Sequence, residues 1–309
     1  MLSAALRALF LWLSNRGWVA RLALGIPFLR WMPLRFVAGT TLDQAVEAVR
    51  RLNAGGMSAT LDVLGESVED RSSANRAAAA YVETLERIAA AELDANVSIK
   101  LSQMGLDLGV EECLAVLAPV VAAGDRLGIF VRIDMESSDS TDGTLEVVDV
   151  LGTDGHDVGP AVQAYLHRSP ADVQRLARLR VRTRVCKGAY AESPDVAHQD
   201  RLAIGDAFVT LCEDLLRADA YPGVATHDPD MLARVTAFAR KSEIGSDRFE
   251  FQMLYGVRRD LQRQLIAKGY RLRIYVPYGT EWYPYFMRRL AERPANVLFV
   301  LRSVFGERS

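Results

Sequence analysis

The chain has 309 residues, a formal net charge of −2 and a pI of about 6.1. This charge balance argues against a nucleic-acid partner, because neutralising phosphates requires a concentrated basic surface. Half of the residues are hydrophobic and a quarter are charged, which is typical of globular proteins and not of disordered or membrane-spanning chains.

The first 40 residues differ in composition from the rest of the chain. They contain five arginines, no acidic residue and three of the four tryptophans. Arg7 interrupts the apolar run that a secretory signal needs, and no run reaches the ~18 apolar residues of a membrane span. Two interpretations remain open: helices that pack against the main domain, or a basic amphipathic surface that contacts anionic lipid.

From about residue 41, short apolar runs alternate with stretches of helical periodicity, which is the pattern of a parallel sheet wrapped by helices. The predicted strands are Ser58–Val63, Val97–Leu101, Ile129–Met135, Gly159–Tyr165, Val181–Lys187, Gly223–His227, Phe249–Leu254 and Arg271–Val276. The predicted helices include Leu42–Asn53, Ser73–Leu93, Val110–Arg126, Pro170–Arg180, Asp195–Arg217, Pro229–Ser242 and Leu261–Lys268. Eight strand–helix units predict a closed barrel whose last helix starts near Trp282.

We therefore predict an α/β fold, a modified (β/α)8 TIM barrel with extra N-terminal helices. Residues 1–40 form the helical arm and residues 41–309 form one barrel domain. Asp43, after Thr40 and Thr41, fits a helix N-terminus, and Gly55 and Gly56 end that helix. No G-x-G-x-x-G follows the first strand, which argues against a dinucleotide-binding Rossmann domain.

The three cysteines and four histidines indicate neither a disulfide framework nor a metal site. Cys113, Cys186 and Cys212 match no paired ligand motif, and no two histidines lie four residues apart on a predicted helix. We expect reduced cysteines and no metal.

Polar side chains occur where the predicted strands end, and active sites of such barrels lie at the carboxyl ends of the strands. Lys100, Asp134 and Arg184 are the clearest examples. One interpretation is an internal ion-pair layer that only fills the barrel. The other is that a ligand uses these charges, since buried charges are costly unless they are paired.

The last predicted helix carries a candidate anion site. Its residues Tyr285, Arg288, Arg289 and Glu292 are three or four positions apart and share one helix face. A guanidinium binds a carboxylate through two parallel hydrogen bonds, and Glu292 can hold one arginine in place. This face is therefore a candidate carboxylate site.

At these motifs the sequence resembles the proline dehydrogenase family, especially its short monofunctional bacterial members. The matching stretches are Ser98-Ile-Lys-Leu-Ser, Val131-Arg-Ile-Asp-Met-Glu, Val162-Gln-Ala-Tyr-Leu, Arg184-Val-Cys-Lys-Gly-Ala-Tyr, Ala225-Thr-His, Phe249-Glu-Phe-Gln-Met-Leu, and Arg273-Ile-Tyr-Val-Pro-Tyr-Gly through Arg288-Arg289-Leu-Ala-Glu292. They occur in the family's order over about two thirds of the chain. The first 40 residues carry no such motif.

The resemblance implies a non-covalently bound FAD over the barrel mouth, with L-proline between the flavin and the last helix. The implied catalytic residues are Arg184, Lys100 and Asp134. The implied substrate-binding residues are Lys100, Arg288, Arg289, Tyr275, Tyr285, Leu254, Ala189, Tyr190 and Glu292. The implied FAD-binding residues are Gln163, Arg184, Lys187, Gly188, Ala189, Thr226 and His227.

The resemblance also implies the partners of the reaction, which would be the first step of proline catabolism to glutamate. Proline would be oxidised to Δ1-pyrroline-5-carboxylate by hydride transfer to flavin N5, with electrons passed to a membrane quinone and not to NAD. Nothing resembles an aldehyde dehydrogenase domain, so a separate pyrroline-5-carboxylate dehydrogenase would take the product. We expect a cytoplasmic protein with peripheral contact to the inner face of the cytoplasmic membrane.

Two alternatives to this function remain open at the level of the sequence. One is a dehydrogenase of hydroxyproline or of another cyclic secondary amine, which the bulk of Tyr285 would disfavour for a hydroxylated ring. The other is a non-catalytic module that binds flavin or a small acid.

Overall fold

The computed structural model describes residues 35–65, 67–283 and 285. Eight parallel strands form a closed barrel in chain order, and β8 pairs with β1. The strands are β1 (Ser58–Val63), β2 (Ala95–Ile99), β3 (Val131–Ile133), β4 (Val158–Gln163), β5 (Arg184–Cys186), β6 (Gly223–Ala225), β7 (Glu250–Leu254) and β8 (Leu272–Tyr278). The predicted barrel is confirmed.

Among the described residues, one helix precedes the barrel and a helix follows each of the first seven strands. The helices are α1 (Leu42–Ala54), α2 (Arg71–Ala90), α3 (Val110–Leu127), α4 (Thr141–Thr153), α5 (Ser169–Arg178), α6 (Arg201–Arg217), α7 (Pro229–Lys241) and α8 (Arg259–Ala267). Helical residues that include Trp282 and Tyr283 follow β8, as predicted. Among the described residues, no helix is both long and apolar enough to cross a lipid bilayer.

Along each strand, side chains point alternately into the barrel and outward to the surrounding helices. In β8, Leu272, Ile274 and Val276 are buried in the main hydrophobic core, whereas Arg273 and Tyr275 hydrogen-bond to side chains from other strands. Successive side chains of a strand point to opposite faces, so one face packs apolar residues and the other carries polar ones. The polar face lies inside the barrel.

The start of α1 shows why the predicted boundary is correct. Thr41 is the N-cap, and it forms a capping box in which its hydroxyl accepts from the backbone N–H of Gln44 and the Gln44 side chain accepts from the Thr41 N–H. This arrangement satisfies two N–H groups that the helix itself leaves unpaired. Asp43 lies in the first turn and forms an ion pair with Arg87 of α2.

One helix prediction needs correction. The predicted helix Asp195–Arg217 is wrong in its first turns, because α6 begins at Arg201, where the Asp200 carboxylate accepts from the backbone N–H of Ala203 at 2.8 Å. The preceding residues pair with the segment after β4 instead, through a β-bridge between Leu166 and Ala197. For helix α4, the eight strand–helix units predicted a helix after the third strand but gave it no bounds.

Several strands are shorter at their carboxyl ends than predicted. β3 and β5 have three residues each, and the chain after β2 turns into a 3-10 helix, Leu101–Met104. The residues beyond these ends, such as Lys100 and Asp134, leave the ladder and direct polar side chains to the barrel mouth.

All three cysteines are free, and Cys113 and Cys212 are buried. Burial raises the pKa of the Cys113 thiol to about 12, so this sulfur stays a thiol at neutral pH.

Gly159 in β4 generates a prediction about stability. A Cβ atom there would overlap the backbone carbonyl oxygen of Arg182, whereas a Cβ on Gly152 in α4 meets nothing within 4 Å. We expect Gly159→Ala to lower the free energy of unfolding by about 3 kcal/mol, because backbone cannot move aside cheaply. The control Gly152→Ala should raise it by up to about 1 kcal/mol, because Ala is the better helix former. Urea denaturation of both variants measures this, and equal effects would contradict it.

Candidate active site

The carboxyl ends of the first three strands bring together charged side chains in the interior of the barrel. Asp62 is the last but one residue of β1, Lys100 follows β2 and Asp134 follows β3. They meet Arg184 from β5 and Tyr275 from β8. We call these five residues the mouth cluster. Three of them are the residues that the sequence analysis predicted as catalytic.

Asp134 is the most densely bonded member of the mouth cluster. Its Oδ1 accepts from Arg184 Nη1 at 2.5 Å and from Ser98 Oγ at 2.7 Å, and its Oδ2 accepts from the Tyr275 hydroxyl at 2.8 Å. Ser98 Oγ also accepts from Arg184 Nη1 at 3.0 Å. Asp134 therefore orients both Tyr275 and Arg184.

Lys100 lies on the other side of the same carboxylate. Its Nζ donates to Asp62 Oδ1 at 2.7 Å and to the Tyr275 hydroxyl at 3.3 Å, and it lies 3.8 Å from Asp134 Oδ2. Asp62 is fully buried, and within the described part of the chain its Oδ2 has no hydrogen-bond partner. The side chain of Lys100 remains 24% exposed, which leaves it accessible from the mouth.

Asp62 is a site residue that the sequence analysis missed. The available signal was an acidic residue inside a short, otherwise uncharged strand, Ser58–Val63. A carboxylate in such a position needs a cation, because an unpaired buried charge is strongly destabilising. The pairing with Lys100 was not predictable, because the two residues are 38 positions apart and meet only through strand register.

The charges of the mouth cluster stabilise one another. Burial alone would raise the pKa of Asp134, but the cations Arg184 and Lys100 outweigh it and hold this pKa below the ordinary aspartate value. Burial alone would lower the pKa of Lys100, but Asp62 and Asp134 outweigh it and hold this pKa above the ordinary lysine value. Burial, with the negative charge of Asp134, raises the pKa of Tyr275 well above 10.

These shifts determine the protonation states at neutral pH. Asp134 is a carboxylate, Lys100 is an ammonium and Tyr275 is a neutral phenol. None of the three has a pKa near neutrality, which a general base or acid requires. These three residues therefore supply charge, hydrogen bonds and position, and not proton transfer.

The predicted cofactor residues lie at the ends of β4, β5 and β6. Gln163 is buried, and its amide donates to the backbone carbonyl of Glu136 at 2.7 Å. Lys187 is partly exposed and forms an ion pair with Asp228 at 3.0 Å, which holds the pKa of that carboxyl below its ordinary value against the effect of burial. His227 Nε2 accepts from the backbone N–H of Leu254 at 2.9 Å.

Gly188 after β5 has a backbone that only glycine adopts without strain. Its φ is +114°, and a Cβ there would overlap the ring of Tyr165. Ala189 and Tyr190 follow it and are exposed, and Thr226 lies buried at the end of β6. Glycine at position 188 is therefore explained by its φ and by the Tyr165 ring, which packs where a Cβ would lie.

The substrate side of the predicted site is described in part. Tyr285 is buried against Val37, Leu64 and Trp282, and Leu254 at the end of β7 is partly buried. Ala38 and Gly39 bond to the backbone of β8 and the residue after it, so the described end of the N-terminal segment contacts the barrel. Three predicted residues lie outside the described residues: Arg288, Arg289 and Glu292.

A cavity of about 510 Å³ lies at the opposite, N-terminal end of the barrel. Arg132, Arg271 and Arg273 line it, but so do Asp94 and Glu250. Active sites of these barrels lie at the carboxyl ends of the strands, so we place the chemistry at the mouth cluster and not in this cavity. Within the described ranges, no group of three or more histidine, cysteine or acidic residues could hold a metal ion.

Comparison with known proteins gives consistent results. Residues 45–302 match the family model described as proline dehydrogenase. The chain is 39% identical to "Proline dehydrogenase 1" of Bacillus subtilis (strain 168), over 97% of this chain and 99% of that protein. It is 40% identical to "Proline dehydrogenase" of Deinococcus radiodurans, over 87% of this chain and 89% of that protein.

Solved structures show the same fold. A crystal structure of proline utilization A (PutA) from Bdellovibrio bacteriovorus, inactivated by N-propargylglycine, superposes with a TM-score of 0.81 at 25% identity. The match covers 91% of this chain and 34% of that protein, so this chain corresponds to about a third of it. PutA of Escherichia coli (strain K12) is 28% identical over 89% of this chain and 24% of its own length.

Asp134→Asn tests the role of the central carboxylate in stability. The variant should lose about 3 kcal/mol of unfolding free energy at pH 7, because it leaves the buried guanidinium of Arg184 without its anion. The pKa of Asp134 is depressed in the fold, so its contribution is present above the unfolded-state pKa of about 3.9 and is lost as the pH falls through the folded value.

Urea denaturation of wild type and variant between pH 8 and the acid limit of the wild type measures this difference. It should be constant near neutral pH and shrink as the pH falls below about 4. Asp139→Asn, at an exposed aspartate, is the control and should show neither effect. A difference that is absent or that grows in acid would contradict the assignment.

Proposed function

The chain belongs to the proline dehydrogenase family and is an oxidoreductase of that family, and we propose that it oxidises L-proline to Δ1-pyrroline-5-carboxylate with FAD. The observation that carries this proposal is the similarity to proline dehydrogenases over nearly the whole chain. The mouth cluster agrees with it, because its lysine and arginine suit a substrate carboxylate and an electron-accepting ring that becomes negative on reduction.

The described residues fit a bound FAD. Arg184 uses Nε and Nη1 for its bonds inside the barrel, and among the described residues its Nη2 has no hydrogen-bond partner. That N–H group would contact the isoalloxazine, and Gln163 at the end of β4 would contact the same ring. Lys187, Gly188, Ala189, Thr226 and His227 would lie along the rest of the cofactor. When bound, FAD supplies the acceptor for the hydride.

The substrate would be held between the mouth cluster and the helix after β8. Arg288 and Arg289, with Lys100, would bind the carboxylate of proline, and Glu292 would hold one of the arginines. The residues that would surround the pyrrolidine ring are Tyr275, Tyr285, Leu254, Ala189 and Tyr190. A charged clamp at one end and apolar walls at the other would hold the reacting carbon at the ~3–3.5 Å that transfer requires.

The protonation states constrain how the amine reacts. Proline must lose its ammonium proton before a hydride leaves, and Lys100, Asp134 and Tyr275 are not poised to accept it at neutral pH. The positive charges of Lys100 and Arg184 would instead lower the pKa of the bound amine, because nearby cations disfavour a further positive charge. The proton would then leave to solvent.

The partners follow from the same proposal. Electrons would pass to a membrane quinone, and the product would go to a separate pyrroline-5-carboxylate dehydrogenase. The protein would act in the cytoplasm, with residues 1–40 in peripheral contact with the inner face of the membrane. Co-sedimentation with anionic vesicles, by the whole chain and by a variant that lacks residues 1–34, tests this contact. Equal binding by both would exclude it.

A visible spectrum of the purified protein tests the proposed function directly. We expect the absorption band of oxidised flavin, released by denaturation as FAD, and bleaching of this band when proline is added under nitrogen. Hydroxyproline in place of proline should bleach it more slowly, because Tyr285 would crowd a ring hydroxyl. Flavin that stays oxidised with proline would favour a binding module, and faster bleaching by hydroxyproline would favour the other substrate.

The proposed carboxylate clamp, formed by Arg288 and Arg289 with Lys100, generates a second prediction. Arg288→Met and Arg289→Met keep most of the apolar stem but remove the guanidinium, so proline binding should weaken about 30-fold to several thousand-fold. The change should appear chiefly in KM, because the carboxylate is charged in both the ground state and the transition state. Steady-state kinetics with an artificial dye acceptor measures it, alongside the ratio of flavin to protein.

Arg240→Met, at an exposed arginine at the end of α7, is the control and should leave KM unchanged. Flavin content should survive in all three variants, since these arginines would hold the substrate and not the cofactor. An unchanged KM, or loss of flavin with normal residual kinetics, would overturn the clamp assignment.

A further inference from the structure

A continuous chain of buried hydrogen bonds runs from Arg184 down the inside of the barrel. Arg184 Nε donates to Gln252 Oε1 at 2.5 Å, Gln252 Nε2 donates to Glu250 Oε1 at 2.6 Å, and Arg273 Nε donates to the same Glu250 oxygen at 2.8 Å. Arg273 Nη1 ends the chain on the carbonyl of Ala59 at 2.8 Å. Of the residues joined by these hydrogen bonds, only Arg184 belongs to the predicted site.

The orientation of the Gln252 amide follows from its two neighbours. Arg184 can only donate, so the amide oxygen must face it. Arg273 holds the pKa of Glu250 below its ordinary value despite burial, so Glu250 is ionised and can only accept, and the amide nitrogen must face it. If the amide were rotated, its nitrogen would face the donor of Arg184 and its oxygen would face the acceptor of Glu250. Neither pair could form a hydrogen bond in this buried site, which is costly.

A glycine leaves the space that this amide occupies. Gly223 in β6 pairs in register with Arg184 on one side and with Glu250 on the other. A Cβ on Gly223 would overlap the Gln252 amide nitrogen. The barrel therefore accommodates Gln252 at this level because β6 carries no side chain there.

The consequence for Arg184 is both geometric and electrostatic. Its planar guanidinium is held on one edge by Asp134 and on another by Gln252, and two anchors on a rigid plane fix its orientation. The second anchor, the amide of Gln252, is neutral. The nearest negative charge beyond it, on Glu250, is paired with Arg273. Arg184 therefore keeps more positive charge toward the mouth than a second carboxylate would leave it.

We propose that Gln252 is a positioning residue for Arg184: with Glu250, Arg273 and the space at Gly223, it fixes the guanidinium plane and separates its charge from the carboxylate below. The proposal rests on the proposed function, in which Arg184 faces the flavin. Gln252 itself touches neither substrate nor cofactor.

The central experiment exchanges two side chains without changing the total charge. In the double variant Gln252→Glu/Glu250→Gln, the carboxylate moves from position 250 to position 252, where it faces Arg184 directly. The number of side-chain oxygen and nitrogen atoms stays the same. Reduced flavin carries more negative charge than oxidised flavin, so its stabilisation by Arg184 should fall. We expect the ratio of reduced to oxidised flavin, at equilibrium with a reference dye, to drop about tenfold, as for one unit charge moved within a protein site.

Two further variants separate position from charge. Gly223→Ala retains every polar residue of the chain but displaces the Gln252 amide, and should weaken FAD binding to the apoprotein about tenfold in a fluorescence titration. Gln264→Glu on α8 places the same new charge at an exposed position and is the control, with unchanged dye equilibrium and FAD affinity. Thermal midpoints of all variants record general destabilisation.

The outcomes distinguish the possible failures. If the exchanged variant and Gly223→Ala lose thermal stability but keep the wild-type dye equilibrium and FAD affinity, Gln252 has only a structural role and the proposal is overturned. If the wild type holds no flavin, the proposed function fails, and the role of Gln252 is tested by the stability of the protein without cofactor. In that case a double-mutant cycle of Gln252→Leu with Asp134→Asn should show non-additive losses of stability, because both residues hold one guanidinium, and additive losses would overturn the proposal.

Discussion

The salt bridge between Asp134 and Arg184 is the interaction on which the arrangement of the barrel mouth depends. Asp134 receives three donors from three strands, and each donor places a different part of the site. Ser98 keeps the carboxylate in the mouth, and Asp134 orients Tyr275 toward the proposed substrate pocket and Arg184 toward the proposed flavin. A charge pair of this kind persists in a largely buried site because further hydrogen bonds satisfy both partners.

The charges inside the barrel are arranged in two levels. At the mouth, two carboxylates, Asp62 and Asp134, balance the two cations Lys100 and Arg184. Below them, Glu250 and Arg273 form a second pair. Gln252 connects the two levels through its neutral amide, which bonds to Arg184 above and to Glu250 below. An interior of this kind fills the barrel and also leaves charged side chains at its mouth.

Of the two interpretations that the sequence allowed for the charges of Lys100, Asp134 and Arg184, the internal ion-pair layer is present. Their use by a ligand stays a prediction. The same residues leave groups directed to the mouth, since the side chain of Lys100 is partly exposed and Nη2 of Arg184 has no partner among the described residues. A layer that only filled the barrel would need neither feature.

The sequence by itself determined the barrel and most of the element boundaries, because the two periodicities of strands and helices are local properties of the chain. It also placed Lys100, Asp134 and Arg184 at strand ends, and the order of its motifs indicated the family. It could not identify Asp62, Gln252 or their partners, and it extended α6 too far. Those features depend on which residues share a level in the closed barrel, and that level is set by the register between strands distant in sequence, which only the tertiary structure decides.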